Sequence, residues 1–124
     1  GVQTCALPIS MSFFESYQQT LFFNPTTLTI PGVTTTYEVY TPNYLSTRNY
    51  TMLVTVQDID TNVVVRLEGS TDGTNFGPML SETITSNGTF AYNSCGFPVR
   101  YIRGRFLQES GGVNARVTFQ MAAN

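Results

Sequence analysis

The stretch Val63–Phe76 reads VVVRLEGSTDGTNF. In its first half Val63, Val65 and Leu67 fall on one side, and Asn62, Val64, Arg66 and Glu68 on the other. A period of two is the signature of a half-buried β-strand. Gly69, Ser70, Asp72, Gly73 and Asn75 then arrive together and supply the backbone freedom and side-chain caps of a reversal. The chain re-enters an apolar run at Phe76. The stretch predicts a hairpin, around which the rest of the chain is to be read as further strands.

Working outward, the same grammar repeats. Thr26–Ile30 stops at Pro31-Gly32, and Val33–Thr41 stops at Pro42-Asn43. Tyr50–Gln57 places Tyr50, Met52, Val54 and Val56 on one face. Phe76–Glu82 is interrupted by Gly77-Pro78. Asn87-Gly88 inside ITSNGTF is a strong short hairpin signal, and Thr89–Tyr92 returns from it. Val99–Leu107 is a strand, Glu109–Gly112 a turn, and Val113–Met121 alternates Val113, Ala115, Val117 and Phe119 against Asn114, Arg116, Thr118 and Gln120. Eight or nine short strands with no long helix between them predict an all-β fold, an antiparallel sandwich of Ig-like or jelly-roll type. A parallel α/β sheet is excluded, because no crossover helices can be placed.

The domain organisation follows. Residues 26–124 form a single β-sandwich domain. Residues 11–25 are an aromatic arm or a first strand: Ser12 and Glu15 fit a helical capping box, while Thr20–Phe23 reads as a strand entering the sheet. Phe13, Phe14, Tyr17, Leu21, Phe22 and Phe23 give this segment a large apolar load. It either covers the domain's own core or docks on a neighbouring subunit. Residues 1–10 look foreign: VQTCALPI resembles the in-frame translation of a widely used sequencing adapter, which implies a metagenomic source and a gene that begins near Met11. Cys5 would then be an adapter product and Cys95 a lone thiol.

Composition excludes much chemistry. Only 11% of residues are charged, under half the ~25% usual in soluble domains, and the net charge of −2 is the wrong sign for a nucleic-acid binder. The chain has no histidine and its six cations are all arginine. The commonest general base and metal ligand is therefore missing, as are Schiff-base and P-loop lysines. No apolar run approaches the ~20 residues of a membrane-spanning helix. No enzyme activity, cofactor or metal is expected.

The residual candidates have plain structural readings. Asp58, Asp60 and Asn62 open like a calcium loop, but the sixth and twelfth positions are Val63 and Gly69 rather than glycine and glutamate. A looser calcium site shared with Asp72 is the alternative to a simple turn. Asn49-Tyr50-Thr51 and Asn87-Gly88-Thr89 match glycosylation sequons. Arg100, Arg103 and Arg105 cluster in one strand, with Arg103 and Arg105 pointing the same way. Such a strip either contacts an acidic partner or pairs with local carboxylates such as Glu68 or Glu82.

Three runs together, GSTDGTNF after a strand, ITSNGTFAYNS, and VRYIRGRFLQESGGVNARVTF, make residues 37–123 resemble small β-sandwich structural proteins of tailed bacteriophages. The first run matches "GS-x-DG-x-N-aromatic", with Phe76 as the aromatic; the last matches an arginine-bearing strand, a glycine pair and an alternating strand. The resemblance implies a non-enzymatic virion component, a head-decoration, head-fibre or tail-associated protein. Its partners would be copies of itself and other virion proteins, in a particle assembled in the host cytoplasm. The assembly interface would be drawn from the aromatic arm and from Arg103 and Arg105. A similar hairpin occurs in discoidin-like carbohydrate-binding modules. The alternative is therefore a glycan-binding adhesion module, with an aromatic platform drawn from Tyr40, Tyr44, Tyr50, Tyr92 and Phe97.

Overall fold

The computed structural model describes residues 20–39, 49–96 and 98–124. Its strands are β1 Leu21–Phe22, β2 Thr26–Leu28, β3 Gly32–Val33, β4 Tyr37–Glu38, β5 Asn49–Gln57, β6 Asn62–Ser70, β7 Gly77–Ile84, β8 Gly88–Cys95, β9 Tyr101–Ser110 and β10 Arg116–Ala123. They form two antiparallel sheets packed as a sandwich. Sheet I has the order β1-β10-β5-β8, with β2 also on β10; sheet II has the order β3-β9-β6-β7, with β4 also on β9.

Among the described residues the count of ten exceeds the expected eight or nine because two edge strands are interrupted. Asn24-Pro25 separates β1 from β2, since proline cannot donate to a ladder. Thr34–Thr36 separates β3 from β4, and buried Thr34 bridges the gap. Its N–H donates to the Gly104 carbonyl at 2.9 Å, and its Oγ1 accepts from the Gly104 N–H at 3.0 Å. Taking each broken pair as one strand leaves eight. Their order is first-eighth-third-sixth in one sheet and second-seventh-fourth-fifth in the other. This is the jelly-roll winding, so of the two expected sandwiches the Ig-like one is set aside.

The core is the inner face of each long strand. Tyr50, Met52, Val54 and Val56 of β5 meet Val117, Phe119, Met121 and Ala123 of β10 within sheet I. Val63, Val65 and Leu67 of β6, with Ile102 and Phe106 of β9, face them from sheet II. These are the alternations read from the sequence. Gly104, on the inner face of β9, leaves room for the Phe119 ring: a Cβ there would lie 2.6 Å from Phe119 Cδ1.

The structure corrects three local expectations. First, β7 pairs with β6 and β8 with β5, so Asn87-Gly88 carries the chain from one sheet to the other and is no hairpin; Asn87 Oδ1 accepts from the Ile59 N–H at 3.0 Å. Second, Val113 is 86% exposed. The chain from Gly111 to Ala115 wraps Asp60, whose carboxylate accepts from the N–H groups of Val113 (3.0 Å) and Asn114 (3.2 Å), while Glu109 accepts from Asp60 and Ala115. A side chain at Gly112 would collide with Asp60. Third, Cys95 is disulfide-bonded, not the lone thiol that the adapter reading implied; Cys5 lies outside the described residues.

Candidate functional site

The turn after β6 is closed on itself. Ser70 Oγ accepts from the N–H groups of Asp72 (3.2 Å) and Gly73 (2.9 Å), and Asp72 Oδ1 accepts from those of Thr74 and Asn75, both at 2.8 Å. Asn75 Nδ2 donates to Asp72 Oδ2 at 2.8 Å, and the Ser70 hydroxyl to Asp72 Oδ1 at 2.9 Å. These bonds, those from the Asn75 and Thr74 backbone foremost, hold the Asp72 carboxyl far below the usual carboxylate range. Gly73 sits at φ 81° against the Tyr101 ring, where any other residue would be strained. Asp60 is likewise held low, by Asn114 first. Nine residues of β6, about 30 Å at ~3.3 Å each, separate the two loops. A calcium ion shared by Asp60 and Asp72 is thus ruled out by geometry.

The arginine strip is tied down locally. On the outer face of sheet II the Glu68 side chain, 4% exposed, receives Arg103 Nε at 2.8 Å and Arg105 Nη1 at 3.3 Å. The Arg103 guanidinium also lies 3.9 Å from the centroid of Phe76. Phe76, the aromatic of the turn motif, therefore seats an arginine. Arg105 stands opposite Arg66, whose Nε donates to Ser81 Oγ at 3.4 Å. Arg100, just before β9, pairs loosely with Glu38 at 3.7 Å, both half exposed. Of the two readings of the strip, local pairing is the one present, through Glu68 rather than Glu82. Sequence could name Glu68 as a candidate, but not the β6–β9 register that brings it between Arg103 and Arg105.

Charge is divided unequally between the sheets. The strands of sheet II carry Glu38, Arg66, Glu68, Glu82, Arg103, Arg105 and Glu109, whereas those of sheet I carry Arg116 alone. The outer face of sheet I is neutral except for Arg116 at one end, opposite Gln57. One row across it is Thr27, Thr118, Thr55 and Thr89, all in register. Thr27 and Thr118 share a hydroxyl hydrogen bond of 2.8 Å, Thr55 and Thr89 one of 3.0 Å. Another row is Phe22, Ala122, Thr51 and Asn93.

The arm enters at this face. Leu21 and Phe23 turn inward against the core, and Phe23 stacks on Tyr37 at 4.5 Å. Phe22 turns outward and is 81% exposed. At the described end of the arm, two residues thus cover the domain's own core and the third faces outward. Phe13, Phe14 and Tyr17 lie outside the described residues. Of the aromatics named for a glycan platform, Tyr50 is in the core with its hydroxyl accepting from the Val99 N–H. Tyr92 faces inward on β8, and burial, then the Glu82 charge, push its phenol up. Tyr40, Tyr44 and Phe97 lie outside the described residues. Among the described residues no three or more acidic or cysteine side chains gather as a metal site.

No family model and no curated protein matches the chain. Among solved structures it is similar to a chain from the disulfide-linked pili of Bacillus endospore appendages. The identity is 13% and the TM-score 0.41, over 99% of this chain and 95% of that one.

Proposed function

We propose that this chain is a non-enzymatic structural subunit that assembles with copies of itself, and that the assembly is a bacteriophage virion, which it decorates or extends as part of a fibre or tail. The observation that carries the reading is the outer face of sheet I, charged only at Arg116, with Phe22 81% exposed on it where the aromatic arm joins the domain. Depletion of charge around an exposed aromatic is the composition of an interface core. Burying one phenylalanine contributes about 1.5–3 kcal/mol, enough, repeated over many copies, to hold a lattice. The local pairing of Arg103 and Arg105 with Glu68 leaves the aromatic arm as the remaining interface candidate; the winding, one that capsid proteins use, supports the reading by an analogy of fold alone.

The test is Phe22→Ser in the full chain. Phe22 contributes little to the core, so the thermal midpoint should stay within about a degree while light scattering shows smaller assemblies. Co-sedimentation with particles made without the protein tests the virion reading. A wild-type chain that stays monomeric at all concentrations overturns the assembly reading. Assembly without binding to any particle, from a gene with no capsid, portal or tail genes beside it, overturns the virion reading alone.

A further inference from the structure

The two sheets have four edges, and three of them are blunted. The edge formed by β1 and β2 is broken at Asn24-Pro25. The edge formed by β3 and β4 is broken at Thr34–Thr36 and carries Glu38. On β7, Pro78 removes a donor, the register shifts between Leu67 and Glu68 of its partner, and Glu82 lies opposite Val65, a core position, so that its carboxylate points inward. Breaks, proline, bulges and inward charges are how edge strands are kept from pairing with another chain.

The fourth edge has none of these devices. β8 is an uninterrupted strand of 8 residues, and the sequence from residue 83 to residue 99 holds no charged side chain and no proline before Pro98. Among the described residues no strand pairs with its outer side. Which backbone groups face outward follows from alternation. Asn49 and Asn124 exchange both of their N–H···O bonds, so the odd residues of β5 bond toward β10 and the even ones toward β8. In an antiparallel ladder the hydrogen-bonded pairs of β5 and β8 are then Val54 with Phe90 and Met52 with Tyr92, and the N–H and C=O of Thr89 and Ala91 point away from the sheet. Asn93 and Cys95 have interactions of their own, which leaves Thr89 and Ala91 as the open pair.

Resting on the assembly reading above, we infer that β8 pairs antiparallel with β8 of a second copy across a two-fold axis centred on Phe90, joining the two sheets I into one. Thr89 of each copy lies opposite Ala91 of the other, and each such pair exchanges both its N–H···O bonds. A second copy is the occupant because this edge is self-complementary. Paired with itself it sets no like charges together, whereas β4 would oppose Glu38 to Glu38. The contact is isologous and closes at two. Growth beyond a dimer therefore needs the Phe22 face, and the two surfaces have separate roles.

The experiment uses the full chain, with sedimentation velocity over a concentration series and residue-resolved amide exchange. Exchange of the Thr89 and Ala91 N–H groups should slow at least tenfold between the dilute and the concentrated protein, with little change at Phe90. Ala91→Pro removes an N–H that the domain's own ladder does not use and should abolish the dimer. Ala91→Lys, at an exposed position, should do the same through like charge, and decides the matter if the proline variant does not fold. Phe22→Ser should leave the dimer and remove larger species. Dimers from Ala91→Lys as stable as the wild type, or Thr89 and Ala91 exchange that does not respond to concentration, overturn the inference. If Ala91→Lys abolishes the dimer while Phe22→Ser changes nothing, the pairing stands and the Phe22 face falls.

Discussion

Replacing Gly104 by alanine places a methyl group where Phe119 already stands. The added Cβ would lie 2.6 Å from Cδ1, 2.9 Å from Cγ and 3.1 Å from Cε1 of the ring. Carbon atoms rest at about 3.5–4.0 Å, so the ring has to retreat by about an ångström. It cannot do so freely, because Phe119 is 1% exposed between the two sheets. Overpacking of this kind costs about 1–3 kcal/mol. Against it stands the backbone entropy that alanine removes from the unfolded chain, about 0.5–1 kcal/mol. The net loss lies between about 0 and 2.5 kcal/mol and is centred near 1 kcal/mol, a fall of roughly 4–5 °C in the melting midpoint of a domain this size. Urea denaturation should show the same loss at unchanged slope. On a Phe119→Leu background, where the ring is gone, Gly104→Ala should be neutral or stabilising, so the cycle has a coupling of opposite sign to the usual one. A midpoint that holds or rises in Gly104→Ala alone would mean that the sheets part easily at this point, and the reasoning fails.

Val65→Asp should abolish folding, since it buries an unpaired carboxylate, while Arg66→Ser on the opposite face should be nearly silent; equal effects in circular dichroism melts would contradict the register. Asp60 and Asp72 have carboxyls held below their ordinary range, so below about pH 4 the unfolded chain takes up protons that the folded one refuses. Their stabilisation is present above that pH and is lost as pH falls through the folded values. The variant carrying Asp60→Asn and Asp72→Asn should show a shallower decline in urea midpoint between pH 5 and pH 2 than the wild type. Expressed from Met11, the chain lacks Cys5 and should expose one titratable thiol at Cys95. If residues 1–9 are adapter-derived its stability should change by less than about 1 kcal/mol, whereas loss of a native disulfide costs about 2–5 kcal/mol.

The inner faces of β5, β6 and β10 were legible because alternation is a local property, written in residues two apart. The turn at Ser70–Phe76 was legible for the same reason: every partner of Asp72 lies within three residues of it. Partnership between strands was not. Asn87-Gly88 has hairpin chemistry, yet its flanking strands leave for different sheets, because the eight-strand winding gives β8 to β5. Glu68 reads as an outward-facing residue like Arg66, and only the β6–β9 register shows it nearly buried between Arg103 and Arg105. Gly104, between two arginines, carries no local sign that an aromatic from the last strand fills its place.

The order of synthesis runs against the order of pairing in this topology. Among the described residues β1 and β2 pair only with β10, and β3 and β4 only with β9. β1 to β4 therefore have none of these ladders until β9 and β10 have been made. β9 and β10 are also interior strands, one to each sheet, so neither sheet can be completed early. The hairpin of β6 and β7 can form by itself, but Leu21 must find Ala123 across nearly the whole chain. Contacts so distant in sequence place folding in the slow, millisecond-to-second class, and they make the completion of both sheets wait on β9 and β10.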